Sequence, residues 1–209
     1  MLDLVEYKYE KLRRSQCLTN NDINTASKLP SSLMQHTFGR GEHMPLPPNV
    51  LWQIEFGIVR TLTWNDDGKQ STLGLWSKGD IIGEPLSSIN PYEAECLTSV
   101  TVSVLPSSLW DRAFDAIFAH IQQAEELLHI LHCDPIHLRL RLLLCWLSEK
   151  FGTNVPQGRL INLSLTHQEI AELINTTRVT VTRNLKQLEQ NGIISYDKRR
   201  AIVLTSFDS

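Results

Sequence analysis

The chain has 209 residues, 42% of them hydrophobic and 21% charged, with a formal net charge of −3 at pH 7. This length allows two modest domains that each bury a core. No long uncharged apolar run occurs, and the first residues, MLDLVEYKYEKLRR, contain acidic as well as basic side chains that interrupt the apolar ones, which argues against a membrane span, a signal peptide or a transit peptide. We therefore expect a cytoplasmic protein with no membrane partner.

The charge is distributed unevenly along the chain. Residues 1–135 contain 10 Lys and Arg against 17 Asp and Glu, whereas residues 136–209 contain 10 against 6. Only the C-terminal part therefore carries an excess of positive charge that suits a polyanion such as DNA. An acidic chain with one basic end also argues against a non-specific nucleic-acid coat protein.

The N-terminal half is predicted to form a β-rich domain. Residues 1–28 are polar and mixed in charge, and we expect a poorly ordered lead-in. Asp66-Asp67-Gly68 is a hairpin turn, because glycine accepts a positive φ. Short runs rich in β-branched and aromatic residues predict an antiparallel β-roll of the jelly-roll type over residues 29–108. These runs are residues 51–56, 58–64, 71–76 and 95–105.

A long helix is predicted to follow the roll, over residues 109–133. Its apolar residues alternate at four- and three-residue spacing over three heptads, a pattern typical of a helical dimer seam. The stripe consists of Trp110, Phe114, Ile117, Ile121, Ala124, Leu128 and Leu131. A core helix packed on the roll is the alternative, since three heptads is near the minimum for a coiled coil. We favour a two-fold homodimer, with the stripe as its contact.

Three residues of metal-binding type lie near the end of this helix. His129, His132 and Cys133 fall at i, i+3 and i+4, with His137 nearby, so they could bind a transition metal or haem. No acidic group supports them as a second shell. We therefore interpret them as surface and hinge residues, and we expect no metal site and no cofactor.

The cysteines give no sign of a zinc or iron–sulfur site. They are widely separated and form no Cys-x-x-Cys pair. The four are Cys17, Cys96, Cys133 and Cys145. We expect buried free thiols.

A hinge is predicted at Asp134-Pro135, because proline suits the first turn of a helix behind an Asp cap. Residues 136–151 read as a strongly apolar helix closed by Gly152, and residues 159–163 as a short strand. The C-terminal domain is thus predicted to span residues 134–209.

The sequence LTHQEIAELINTTRVTVTRNLKQLEQNGII predicts two helices joined by a tight turn. Thr166 and Glu169 form a capping box, so the first helix begins at His167. Asn175 tolerates the left-handed conformation of a sharp turn, and Thr177 can cap the second helix. That helix buries an apolar face. Its outward side at the N-terminal end holds Arg178, Val179, Thr180, Thr182 and Arg183.

A basic hairpin follows the second helix. Residues 193–196 and 201–205 are short β-rich runs that flank the tip Asp197-Lys198-Arg199-Arg200, which predicts a wing that touches phosphate. The alternative is a plain helical hairpin in a core, but such hairpins do not usually expose two arginines and several threonines. We interpret the segment as a winged helix-turn-helix, whose second helix, residues 177–190, lies in the DNA major groove.

This segment resembles the C-terminal domain of the Crp/Fnr superfamily of bacterial transcription regulators, whose pattern is roughly LTxQEIAxxxGxxRxTVxRxLxxLExxGxI. Asn175 stands where that family usually has glycine. TTRVTVTR is especially similar to the recognition helix of the nitrogen-control regulators. The resemblance implies a homodimer that binds palindromic double-stranded DNA in the bacterial cytoplasm, at the nucleoid, with RNA polymerase as a further partner.

The roll also resembles the superfamily's sensor domain, in LWQIEFGIV and KGDIIGE. In cyclic-nucleotide-binding members the equivalents of Gly83 and Glu84 bond the ribose, and an Arg-Ser/Thr pair about ten residues later holds the phosphate. This chain has INPYE there and no arginine between Arg60 and Arg112. Gly83 and Glu84 are thus a candidate effector position that we expect not to bind cyclic nucleotide, with the effector unknown. A constitutive DNA-binding or partner-binding protein is the alternative.

Roles at the DNA follow from residue type and position. Base reading is assigned to Arg178, Val179 and Arg183, with Arg178 placed for a bidentate contact to guanine. Val179 can pack on a thymine methyl where cyclic-AMP-binding members have a glutamate, which predicts GTA-type half-sites in place of TGTGA. Phosphate contacts are expected from hydroxyl, amide and basic groups. These are Thr166, His167, Gln168, Thr177, Thr180, Lys186, Lys198, Arg199 and Arg200.

A jelly-roll metalloenzyme is the competing class of protein. It would need histidines and carboxylates on facing strands, and residues 51–105 contain no histidine. We therefore predict a regulator of α+β class, not an enzyme, built from a sensor-like antiparallel β-roll, a long dimerisation helix and a winged helix-turn-helix.

Overall fold

The computed structural model describes residues 34–66 and 68–205. The predicted lead-in at residues 1–28, which includes Cys17, lies outside the described residues. Within the described part, an N-terminal antiparallel β domain is followed by helices and a small C-terminal α+β domain. The predicted fold class is confirmed.

The N-terminal domain is a roll of two four-stranded sheets. Its strands are β1 (Gln35–Phe38), β2 (His43–Met44), β3 (Val50–Phe56), β4 (Val59–Trp64), β5 (Gln70–Trp76), β6 (Ile81–Ile82), β7 (Glu93–Cys96) and β8 (Val100–Pro106). One sheet has the order β1-β8-β3-β6 and the other β2-β7-β4-β5, with every pairing antiparallel. Alternate residues of the two sheets face each other across a buried core that includes Ile54, Val59 and Val102.

The turn between β4 and β5 has the predicted chemistry. Gly68 has a φ of 74°, and its N–H donates to the carbonyl of Asn65 at 2.9 Å. A positive φ at this position is why glycine ends the Asp-Asp-Gly run. The hairpin predicted here is confirmed, with Asp67 itself outside the described residues.

Other strand boundaries differ from the prediction. The single strand predicted over residues 95–105 is two strands, β7 and β8, which belong to different sheets. The break falls at residues 97–99, where the N–H of Leu97 donates to the carbonyl of Ile58 and the chain crosses between the sheets. Strands β1, β2 and β6 were not predicted, because they are two to four residues long and carry little periodicity.

The helix predicted from residue 109 begins later than expected. Residues Ser107–Ala113 form a 3-10 helix, and the α-helix α1 spans Phe114–Leu131. Trp110 therefore lies outside the α-helix, and its indole N–H donates to the carbonyl of Leu105 at 3.1 Å. That bond ties the tighter turn to the end of β8, which displaces Trp110 from the predicted stripe.

The C-terminal domain contains three helices and one four-stranded sheet. Its elements are α2 (Ile136–Phe151), β9 (Gly152–Val155), β10 (Gly158–Ile161), α3 (His167–Leu173), α4 (Arg178–Gln190), β11 (Ile194–Tyr196) and β12 (Ile202–Thr205). The sheet order is β11-β12-β10-β9. The apolar helix over residues 136–151 is confirmed. Gly152 ends it as predicted but also begins β9, which was missed, and β10 is shorter than the strand predicted over residues 159–163.

The start of α2 differs from the predicted Asp cap. Pro135 itself occupies the capping position, and no side chain caps the helix. The carboxylate of Asp134 accepts instead from Nη2 of Arg139 at 3.0 Å. The predicted cap is therefore wrong, because the arginine one turn into the helix competes for the carboxylate.

Helix α2 lies at the centre of a core that joins the C-terminal domain, α1 and part of the roll. Leu140, Leu143 and Leu144 are fully buried. The same cluster joins residues from the roll, from α1 and from the helix-turn-helix, among them Leu75, Leu97, Leu127, Ile130, Ile170, Val181 and Leu185. Leu75 and Leu97 therefore join the roll to the core of the C-terminal domain, while the roll keeps a separate core of its own around Ile54.

Candidate nucleic-acid interface

The first helix of the helix-turn-helix begins as predicted. The N–H of Glu169 donates to Thr166 Oγ1 at 3.2 Å, and the N–H of Thr166 donates to Glu169 Oε2 at 2.6 Å. This reciprocal capping box starts α3 at His167. Ile170 and Ala171 are buried on its inner face, so its N-terminal residues are held at the surface.

The turn between α3 and α4 depends on Asn175. Its φ is 50°, in the left-handed region, and the next N–H, that of Thr176, donates to the carbonyl of Ala171 at 2.9 Å. Thr177 then caps α4, since its Oγ1 accepts from the N–H of Thr180 at 3.2 Å. The predicted turn and cap are both confirmed.

Helix α4 is held by one buried face and exposes the other. Val181, Leu185 and Leu188 are buried. Val179 is 77% exposed, which is a large solvent exposure for an apolar side chain. The outward side also holds Arg178, Thr182, Arg183 and Lys186, all exposed.

One polar contact that joins α3 to α4 was not predicted. Thr182 Oγ1 donates to the carbonyl of Arg178 at 2.9 Å and lies 2.8 Å from Nδ1 of His167. The hydroxyl of Thr182 is therefore engaged twice, within α4 and with α3. The sequence gives no local signal for the contact with His167, because the two residues are fifteen positions apart.

The basic wing is shaped by Asp197. Its Oδ1 accepts from the N–H of Arg199 at 2.8 Å and from that of Ala201 at 2.7 Å. Arg200 has a φ of 63°, and its N–H donates to the carbonyl of Asp197 at 3.0 Å. Lys198, Arg199 and Arg200 are all exposed at the tip of the β11–β12 hairpin.

An apolar surface runs along α1. Phe114, Phe118, Ile121 and Leu128 are 59%, 61%, 49% and 54% exposed. Ile117 and Ala124 of the predicted stripe are half-buried beside them, whereas Leu131 packs against the chain's own core. Phe118 was missed because it lies outside the strict heptad positions, although it follows Phe114 by four residues.

The candidate metal ligands at the end of α1 are engaged separately. Nδ1 of His132 lies 2.8 Å from the carbonyl of Leu128, and the thiol of Cys133 donates to the carbonyl of His129 at 3.3 Å. Among residues 34–66 and 68–205, no three His, Cys, Asp or Glu side chains are grouped so that they could hold a metal ion. Cys96, Cys133 and Cys145 are all buried. The same described residues contain no helix long and apolar enough to cross a membrane.

The candidate effector position lies against the chain's own side chains. Burial raises the pKa of Tyr92 to about 12, although its hydroxyl is hydrogen-bonded to Thr61 and to the backbone of Gly83. The indole N–H of Trp76 donates to Thr61 Oγ1 at 2.9 Å. Gly83 is buried against Val50 and Leu51 with Tyr92 beside it, while Glu84 is exposed.

The roll touches the helix-turn-helix through a polar contact as well as an apolar one. Arg60 on β4 is 7% exposed in its side chain and contacts Glu95 on β7 and Glu172 on α3. Sequence reasoning missed this group, because it joins residues more than a hundred positions apart. Its sequence signal is that Arg60 is the one charged residue in the otherwise apolar and threonine-rich run of residues 58–64.

Comparisons with known proteins agree with this geometry. The Crp-like helix-turn-helix domain matches residues 138–209. Regulatory protein CysR from Synechococcus elongatus is 40% identical over 168 residues, covering 79% of this chain and 81% of that protein. The global nitrogen regulator of the same species is 28% identical over 196 residues, covering 85% and 88%. A CRP-family transcriptional regulator from Thermus thermophilus shares the fold with a TM-score of 0.70 at 24% identity, covering 82% of this chain and 92% of that one.

The chain belongs to the Crp/Fnr family of transcription regulators. The predicted resemblance is therefore confirmed, and the protein is a DNA-binding regulator whose winged helix-turn-helix follows a sensor-like roll.

Substitutions at Asn175 test whether its left-handed conformation stabilises the turn between α3 and α4. Asn175→Val places a β-branched residue at a positive φ and should lower the free energy of unfolding by about 1–2 kcal/mol. Asn175→Gly should be at least as stable as the wild type, because glycine adopts this conformation without strain. Urea unfolding followed by circular dichroism measures both. A valine variant as stable as the wild type would contradict the role given to Asn175.

Proposed function

We propose that the protein acts as a homodimer that reads a palindromic duplex with GTA-type half-sites through α4. The observation that carries this proposal is the outward face of α4, where two arginines flank the exposed Val179. Arginine pairs with guanine O6 and N7, and an apolar side chain packs on a thymine methyl. Val179 offers no acceptor for cytosine, so a TGTGA half-site lacks a partner at that position.

Phosphate contacts are assigned around this face. Thr166, His167 and Gln168 lie at the N-terminus of α3, and Thr177 and Thr180 at that of α4, where the N–H groups that take no part in the caps favour an anion. Lys186 and the wing tip add positive charge. The basic residues supply affinity that weakens with salt and is largely independent of sequence. Contact with RNA polymerase and residence at the nucleoid in the bacterial cytoplasm are parts of the same proposal.

Dimerisation is assigned to α1. Four large apolar side chains on one side of this helix are about half exposed or more, and a contiguous apolar surface of this kind marks an interaction site. A helix-turn-helix regulator reads paired half-sites about one helical turn apart, so a two-fold seam along α1 meets that need.

The roll is assigned no cyclic nucleotide. The segment between Arg60 and Arg112 lacks a guanidinium for the phosphate, and Tyr92 is bonded to the backbone of Gly83, the residue whose family equivalent contacts the ribose. A fork of N–H donors is the usual partner of a phosphate, and without it an anion would be buried unpaired. DNA binding in the absence of any cyclic nucleotide follows from this assignment.

Selection from random duplexes tests the reading of bases. The full chain, with no effector added, should enrich palindromes with GTA half-sites. Enrichment of TGTGA half-sites would refute the role of Val179, and no enrichment at all would refute sequence-specific binding. Val179→Glu is the informative variant, since its carboxylate accepts from cytosine and should shift selection toward TGTGA.

Two alanine variants separate specificity from affinity. Arg178→Ala should reduce discrimination between the selected site and a site with guanine replaced by about 1–3 kcal/mol. Arg199→Ala should weaken binding equally on all duplexes and reduce the slope of log K against log salt by about one unit. Fluorescence anisotropy over a salt series measures both effects. Identical specificity ratios for the two variants would rule out the division of roles.

A charged substitution on the exposed apolar side of α1 tests the proposed dimer contact. Ile121→Glu places a carboxylate in the proposed contact and should produce a monomer in analytical ultracentrifugation, with loss of palindrome binding. Ile89→Glu is the matched control, because Ile89 is 45% exposed on the roll and lies outside α1. If Ile121→Glu sediments as the wild type does, the seam lies elsewhere.

A further inference from the structure

We infer that Arg60, a residue of the roll, is a positioning residue for DNA binding, which holds the helix-turn-helix in its reading orientation through Glu172. This inference rests on the proposed function. It concerns a group that touches no DNA, so its effect must pass through the orientation of α3.

The contact is a buried ion pair shared by two domains. Arg60 Nε donates to Glu95 Oε2 at 3.1 Å, within the roll, and Nη1 donates to Glu172 Oε2 at 3.5 Å, across to α3. Nη2 also donates to Gln70 Oε1 at 3.3 Å. The guanidinium thus uses its fork on partners from two domains, as an arginine can and a lysine cannot.

The low solvent exposure of the Arg60 ion pair strengthens its effect on the orientation of α3. The side chains of Arg60, Glu95 and Glu172 are 7%, 22% and 27% exposed, so solvent screens the contact less than it screens a surface pair. One guanidinium separates two carboxylates that would otherwise repel each other. Leu75 of β5 lies in the same apolar cluster as Ile170 of α3, so apolar packing accompanies the ion pair.

A further hydrogen bond links this ion pair to the N-terminal end of α3, which is proposed to face DNA. Glu172 Oε1 accepts from Gln168 Nε2 at 2.9 Å, so the two oxygens of this carboxylate join Arg60 to Gln168. Gln168 is exposed at the N-terminus of α3, and its second amide N–H remains for a phosphate oxygen. The chain of contacts runs from the roll to a residue assigned to the DNA backbone.

The orientation held in this way leaves the reading face open. Arg178, Val179 and Arg183 are exposed while α3 is docked on the roll, as is the wing tip. In a dimer the two reading helices must sit roughly 34 Å apart to meet successive major grooves. If the helix-turn-helix is free to reorient, the dimer loses the advantage of binding both half-sites at once, because the effective concentration of the second half-site falls.

Glu172→Ala tests this on two duplexes, the selected palindrome and the same duplex with one half-site scrambled. Alanine suits a helix, and Arg60 keeps Glu95 as a partner. Loss of a negative charge near DNA should by itself tighten binding on both duplexes. We expect the opposite on the palindrome, a weakening of about fivefold to tenfold, with half-site affinity unchanged or slightly higher.

Glu189→Ala is the matched control, because it removes an exposed carboxylate from α4 without touching the roll. It should leave the ratio of palindrome to half-site affinity at the wild-type value. Arg60→Met should lower that ratio as Glu172→Ala does, since Glu95 and Glu172 then face each other. Circular dichroism and sedimentation establish that each variant is folded and dimeric.

The outcomes separate this inference from the proposed function. If the wild type binds neither duplex, the proposed function fails. If the wild type prefers the palindrome and Glu172→Ala shows the same ratio, or a higher one, the positioning role of Arg60 is wrong while the proposed function stands.

Discussion

The structure depends on the burial of α2. This helix is apolar on most of its surface, and Leu140, Leu143 and Leu144 have essentially no exposure to solvent. A helix that is hydrophobic nearly all round must be covered on every side, and here α1, the roll and the helix-turn-helix each supply part of the cover. Each buried leucine contributes roughly 1.5–3 kcal/mol, so separating any one part from α2 would expose a substantial apolar area. The orientation of the DNA-binding helices is therefore tied to the roll.

Lys150, near the end of α2, is a buried polar group in this junction. Its ammonium pairs with Asp80 of the roll at 2.9 Å and is hydrogen-bonded to Gln123 of α1 and to the carbonyl of Leu75. Burial lowers the pKa of Lys150 below its ordinary value, while the Asp80 carboxylate opposes that shift. The ring of Trp76 adds a cation–π contact at 5.2 Å. A buried charge needs partners in a definite geometry, so this cluster fixes how three elements meet in a way that apolar packing alone does not.

The parts of the structure that the sequence predicted are the local ones. The capping box at Thr166, the left-handed turn at Asn175 and the cap at Thr177 each depend on residues within a few positions, and all three are present. The misses have two physical origins. Strands of two to four residues, such as β6 and β9, carry too little periodicity to be recognised. The start of α1 was placed too early, because the 3-10 geometry at Trp110 depends on a bond to the preceding strand.

Contacts between domains were also not predicted, because no local sequence pattern indicates them. Arg60 and Glu172 are 112 positions apart, and neither has a neighbour in sequence that indicates the other. The base-reading role proposed for α4 rests on its own residues, since direct recognition of bases depends on side-chain chemistry at a helix surface. The spacing of two such faces on a duplex depends instead on how each is held against the rest of its chain. On the proposed function, the choice of bases comes from one helix, whereas the preference for paired half-sites depends on the junction among the roll, α2 and α3.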